Sequence, residues 1–187
     1  MRSTWPIWTS EAVLIRAAGI GDAERIAAIY AHHVRHGTAT FDIVPMSVAA
    51  MADKIDGLVA RGCPFLVAEV EGLVVGYAYA APFRDRPAYA GTCEDSIYLD
   101  PAWAGRGIGK ALLSALIDAC EAAGFRQMIG IAGGGEPASV ALHIACGFSH
   151  AGRMVSVGRK FGRWLDTVYM QRALGAGDMV PPASEPG

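Results

Sequence analysis

A chain of 187 residues that is 52% hydrophobic, with a formal net charge of −2, suits one domain with a packed core. That charge gives no face-wide positive field, so nucleic acid is a poor partner and any anion site must be local. The longest apolar windows, such as LVVGYAYAAPF, fall far short of the roughly 20 residues a membrane helix needs, and MRSTWPIWTSEAV lacks the sustained apolar core of a secretory signal.

Residues 1–11 read as an extension, and the apolar run 12–17 fits a strand. Asp22 stands as a helix N-cap before AERIAAIYAHHV, in which Ile26, Ile29, Tyr30 and Val34 recur at helical spacing. A second helix is expected after Ser47, with Met51, Ile55 and Leu58 on one face and an end near Gly62. PFLVAEV and LVVGYAYAAPF flank the Glu71-Gly72 turn, which predicts a hairpin. The polar loop RDRPAYAG follows, and TCEDSIYLD reads as a strand closed by Asp100-Pro101.

AWAGRGIGKAL then enters a helix whose core stripe is Ile108, Leu112, Leu116 and Ala119, with a stop at Gly124. QMIGIA is a strand, Glu136 to Cys146 a short helix, and two strands flank the basic turn GRKFGRW. This order is mixed α/β and excludes a pure doubly wound fold as the simplest reading. A single domain over 1–174 is expected, with the glycine- and proline-rich stretch 175–187 a flexible tail. The four cysteines (63, 93, 120 and 146) form no C-x-x-C pair, so they read as reduced packing thiols of a cytosolic protein. His32 and His36 have the i, i+4 spacing of a metal pair but no visible third ligand, and no metal is expected.

The turn at residues 104–110 carries the chemistry. Glycines between a strand and a helix let backbone N–H groups approach a phosphate at the positive end of the helix. A P-loop is excluded because Ala111 follows Gly109-Lys110 where a metal-binding hydroxyl is required, and Ala104 takes the first glycine's place. A dinucleotide fingerprint begins correctly with Gly105 and Gly107 but reaches Lys110 instead of glycine. A third pattern, [QR]-x-x-G-x-[GA], matches at Gly107 and Gly109, with Ala104 in its first position.

On that pattern the sequence resembles the GNAT acetyltransferase superfamily. TATFD, PFRDRPAYAGTCEDSIYLDP, GRGIGKALL, SVALHIACGF and GRKFGRWLD narrow the similarity to its phosphinothricin and methionine sulfoximine acetyltransferase branch over roughly residues 13–174. The resemblance implies a twisted mixed β-sheet flanked by helices, with splayed central parallel strands, in a homodimeric enzyme that acetylates the α-amino group of small amino-acid analogues. It implies acetyl-CoA as co-substrate, held by Ile97, Tyr98 and Leu99 along the pantetheine arm and by Gly105, Arg106, Gly107, Ile108, Gly109 and Lys110 at the pyrophosphate. Ser139 is a further polar contact. Glu136 occupies a position where the family has asparagine, and a carboxylate cannot donate that amide's hydrogen bond.

Glu94 matches the family's general base, or else is a strand-edge charge paired with a nearby arginine. Burial would raise its pKa and a neighbouring cation would oppose that rise. His143 either assists proton transfer or is a hydrogen-bonded core histidine. Arg84 and Arg86 offer guanidinium forks for an acceptor carboxylate. Phe41 and Tyr89 are candidates for the acceptor pocket, and Lys160, Phe161, Arg163 and Trp164 for a second rim. Two other readings stay open: transfer to a polyamine or a peptide N-terminus, and a CoA-binding sensor without turnover.

Overall fold

Short turns between apolar runs make nearly all neighbours in the sheet antiparallel. The computed structural model describes residues 8–10 and 13–181. Its strands are β1 (Trp8–Ser10), β2 (Val13–Ala17), β3 (Phe65–Val70), β4 (Leu73–Pro82), β5 (Thr92–Leu99), β6 (Gln127–Gly133), β7 (Ser149–Lys160) and β8 (Arg163–Ala173), and its helices are α1 (Ala23–His36), α2 (Val48–Ala60), α3 (Ile108–Ala122) and α4 (Pro137–Ala145). The strands form one sheet in the order β1-β2-β3-β4-β5-β6-β8-β7. Among the described strands only β5 and β6 run parallel, because α3 carries the chain back over the sheet between them where a hairpin could not.

Helices cover both faces of the sheet. On one side Ile108, Leu112 and Leu116 of α3 pack on Leu66, Ala68, Ala78, Ala80 and Cys93. On the other, Ile26 and Ile29 of α1 and Met51 and Ile55 of α2 cover Phe65, Val67, Tyr77 and Tyr79. In β4 the alternation slips once, since Val74 and Tyr77 share a face although three positions apart. The register shift between Ala68 and Glu69 of β3 explains it, because Ala68 pairs with Gly76 and Glu69 with Val74, leaving Val75 as the extra residue of a bulge.

Three expectations change in detail. Asp22 does precede α1, but its carboxylate makes no cap. It accepts two hydrogen bonds of 2.8 Å from the Arg16 guanidinium and one of 2.8 Å from the Gly19 N–H, which holds its pKa below the usual carboxylate value. Ser47 does cap α2, accepting from the Ala50 N–H at 3.2 Å. At the amino end, Trp8–Ser10 pairs with Val13–Ile15 as an added edge strand, where the sequence suggested only an extension; Ala12, the predicted start of the next strand, lies outside the described residues. At the other end Arg126 donates to the carbonyls of Gly177 and Val180 at 2.9 and 2.5 Å, so the first part of the stretch read as a tail is tied to the sheet. Residues 182–187 of that stretch lie outside the described residues.

Candidate functional site

The parallel pair of strands stays joined only briefly. Thr92 to Asp95 pair with Gln127 to Gly130, and beyond that point β5 pairs with β4 alone and β6 with β8 alone. The sheet splits there, and a cavity of about 270 Å³ occupies the split. Its walls include Glu94, Asp95, Ile97 and Tyr98 of β5, Ile131 to Gly133 of β6, Glu136, Ser139 and His143 around α4, and Ala39 to Phe41 from the loop after α1. Alternation along β5 turns Tyr98 toward the α1 and α2 core and Cys93 and Ile97 toward α3. Glu94 and Asp95 therefore flank the split from opposite faces.

Glu94 is half-buried, and its carboxyl pKa is raised, first by burial and then by the neighbouring charge of Asp95, with Arg84 opposing the rise. His143 is deeply buried on the other face. Its Nδ1 lies 2.7 Å from the Ser139 carbonyl and its Nε2 3.2 Å from Asp95 Oδ2. Burial opposes a charge on this ring, but the hydrogen bond to Asp95, its charge and the Ser139 carbonyl outweigh that and raise the imidazole pKa. Both ring nitrogens are thus engaged within the protein. His143 is therefore a buried, hydrogen-bonded histidine that also stands in the cavity wall.

The glycine turn lies at the open end of β5. Ala104 is extended after the turn Pro101–Trp103, and Gly107 caps α3 at φ 80°, ψ −8°, a left-handed conformation that disfavours a side chain, with no side-chain cap. The amides of Ile108, Gly109 and Lys110 have no carbonyl within the helix, the first such bond being Ala111 N–H to Gly107 O at 3.2 Å. A Cβ at Gly109 would stand 3.3 Å from the Leu99 side chain, which places the turn against the end of β5. Arg106 folds back on its own turn, 4.6 Å over the Trp103 ring and 3.2 Å from the Ala102 carbonyl. Asp100 donates its N–H to Val75 of β4 at 2.8 Å, so by alternation the Leu99 and Ile97 amides face away from β4, toward the split.

The remaining predicted residues divide. Phe41 lines the cavity. Arg84, Arg86 and Tyr89 lie exposed on the loop entering β5, outside the cavity wall; Arg84 sits 4.2 Å over the Phe83 ring, and Tyr89 packs edge-on to that ring at 5.7 Å. Arg84 alone of these reaches Glu94 electrostatically. Lys160 does not form an exposed rim with Phe161, Arg163 and Trp164. It is buried, and its ammonium donates to the Thr40 carbonyl at 2.8 Å, so it holds the loop that forms one cavity wall. His32 and His36 lie 4.8 Å apart on α1, and no group of three metal-ligating side chains occurs among the described residues.

Sequence reasoning passed over Asp95 and His33. Alternation next to Glu94 would have turned Asp95 toward the α4 side. His33 lies at i+1 from the noted His32, and its Nε2–H donates to the Leu99 carbonyl at 2.7 Å; burial lowers its pKa, so the ring is neutral and fixes the end of β5.

The acetyltransferase (GNAT) family matches residues 27–148. A phosphinothricin N-acetyltransferase of Alcaligenes faecalis is 49% identical over 172 residues, 91% of this chain and 87% of that protein. An L-methionine sulfoximine/L-methionine sulfone acetyltransferase of Pseudomonas paraeruginosa is 39% identical over 158 residues, 84% of this chain and 92% of its own. Among solved structures, a phosphinothricin acetyltransferase from Sinorhizobium meliloti in complex with acetyl-CoA superposes with a TM-score of 0.91 at 48% identity, covering 92% of this chain and 94% of that one.

Proposed function

This chain belongs to the GNAT family of N-acetyltransferases, and we propose that it moves the acetyl group of acetyl-CoA to the α-amine of a small amino-acid analogue such as phosphinothricin, methionine sulfoximine or methionine sulfone. The observation that carries this reading is Glu94, a half-buried carboxylate of raised pKa at the point where β5 and β6 part, on the wall of the cavity between them. The two curated relatives described above, each covering more than four-fifths of this chain, support the acceptor class.

The residues present fit acetyl-CoA. Three unpaired amides at the start of α3 and the glycine-capped turn would hold the pyrophosphate, and the Ile97 and Leu99 main chain would meet the pantetheine arm. Acetyl-CoA supplies an activated acyl thioester. The chain's own residues do the rest. Glu94 takes the proton that an α-ammonium must lose before its nitrogen can attack, and the raised pKa brings this base closer to the pH at which it works. The Leu99 N–H is aimed at the split, and His33 fixes this end of β5 through the Leu99 carbonyl; the N–H stabilises charge that develops on the thioester oxygen. Arg84 and Arg86, on the exposed loop that enters β5, bind the acceptor's carboxylate, with Phe41 and Tyr89 against its side chain. Glu136 lines the cavity as a carboxylate, so the cofactor contact made by asparagine elsewhere in the family is replaced here by the amides and by Ser139.

The protein is further proposed to be a cytoplasmic homodimer with one catalytic domain over 1–174. Support for self-association comes from β7, an edge strand whose Val155 and Val157 are 68% and 49% exposed, beside Trp164 at 62%. Among the described residues no helix is long and apolar enough to cross a membrane.

Release of free thiol from acetyl-CoA tests the reading with four acceptors in parallel: methionine sulfone, phosphinothricin, a polyamine and a peptide. Thiol release with the first two and not the others is expected. Release only with the peptide or polyamine would move the chain to another acceptor class, and no release with any of them would leave a CoA-binding protein without turnover.

A further inference from the structure

The buried pair Asp95–His143 has a defined proton inventory. A carbonyl oxygen only accepts, so the 2.7 Å contact with Ser139 O puts a hydrogen on His143 Nδ1. The 3.2 Å contact between Nε2 and Asp95 Oδ2 then requires one more proton, since two lone pairs would otherwise face each other. The two side chains, 1% and 3% exposed, therefore hold one proton between them. Asp95 Oδ1 is buried and has no hydrogen-bond partner among the described residues.

The location of the pair gives it a task. Asp95 is the last residue of β5 in register with β6, opposite Gly130, and the strands part immediately beyond it. His143 belongs to α4, whose first turn presents Ser139 to the same cavity, with Glu136 just before it. Phe148 closes the pair from outside, its ring edge-on to the imidazole at 4.9 Å. A Cβ at Gly130 would lie 2.5 Å from the His143 ring and 3.0 Å from Asp95 Oδ1, so the space for this contact is reserved on the facing strand. The other titratable groups around the pair are Glu94 on β5, Cys93 on the same strand and Cys120 on α3.

We propose that Asp95 is a positioning residue of the acetyl transfer: through its hydrogen bond to His143 it clamps α4 to β5 at the fork of the sheet and fixes the opening that admits the thioester arm. This rests on the acetyl-CoA reading above. Asp95 touches neither reactant; it acts through His143 and α4. An asparagine would keep the contact by donating its amide N–H to Nε2, without the shared proton, whereas a leucine would abolish it.

The test combines nitrogen-15 NMR of the His143 ring at neutral pH with calorimetric titration of CoA into wild type, D95N and D95L. Wild type is expected to show both ring nitrogens protonated, and D95N a neutral ring with its hydrogen on Nδ1. D95N should bind CoA within about twofold of wild type and D95L about tenfold more weakly, with kcat at saturating acetyl-CoA changing less than KM. A wild-type ring that is neutral with its hydrogen on Nε2 would overturn the shared proton, and equal CoA affinity in wild type and D95L would overturn the clamp. If D95L does not fold, D95N decides, since a tenfold loss in a variant that keeps the contact contradicts the clamp. Wild type that binds no CoA would instead overturn the function proposed above, while the NMR result would still stand or fall by itself.

Discussion

Gly130→Ala probes the fork of the sheet with a single methyl group. In an ordinary strand this change gains about 0.4–1 kcal/mol by restricting the unfolded chain. Here the new Cβ would meet His143 Cδ2 at 2.5 Å and Nε2 at 2.6 Å, with Asp95 Oδ1 at 3.0 Å, well inside the roughly 3.5–4.0 Å of ordinary carbon contact. None of these atoms is the free end of a flexible chain, because the ring is held at Ser139 and Asp95 and packed on Phe148. Overpacking a core costs about 1–3 kcal/mol, and losing a hydrogen bond to a charged group about 1.5–3 kcal/mol. The net destabilisation is about 2–4 kcal/mol, which for a chain of this size lowers Tm by roughly 5–15 °C. Thermal melts by circular dichroism measure it, with the affinity for CoA in parallel. An unchanged or raised Tm would show that His143 does not occupy this space, and the seating of α4 on the sheet would have to be redrawn.

The other predictions concern the reactants. Glu94→Gln should lower kcat by about 10²–10⁴-fold, the range for a general base, while CoA affinity measured by titration stays put. In the pH profile of kcat/KM, the acidic limb of wild type should lie above the ordinary glutamate value, since Glu94 must be ionised to act and its pKa is raised. Arg84→Ala removes the one cation that favours the carboxylate, so the limb should move to still higher pH; a shift to lower pH would contradict the arrangement. Gly107→Val places a branched side chain at φ 80°, a strain of roughly 1–2 kcal/mol, and should raise KM for acetyl-CoA about tenfold or more, with the acceptor's KM little changed.

Periodicity and turn residues made nearly all of the fold legible. Glu71-Gly72 and Phe161-Gly162 mark their hairpins, and Gly124 stands just past α3 as expected. The donor side of the site was equally accessible, because a glycine turn between strand and helix is a local signal. The acceptor side depended on facts that no local pattern carries. Glu94 and Asp95 are adjacent in sequence but face opposite sides of the sheet, and only the fold shows that β5 and β6 part just beyond them and leave both on the wall of one cavity. Lys160 looked like a surface cation within GRKFGRW, yet its ammonium is spent on the Thr40 carbonyl, 120 positions away in the chain. Asp22 illustrates the same limit on a smaller scale, since its position before α1 predicted a cap while the nearby Arg16 guanidinium claimed its carboxylate.

The central claim is that this chain joins the acetyl group of acetyl-CoA to an α-amine. It is tested most directly by proton NMR of a reaction of acetyl-CoA with methionine sulfone. One equivalent of an acetyl group on the α-nitrogen for each CoA released is the result predicted. CoA release without an acetylated acceptor, or acetylation at any other atom, would contradict it.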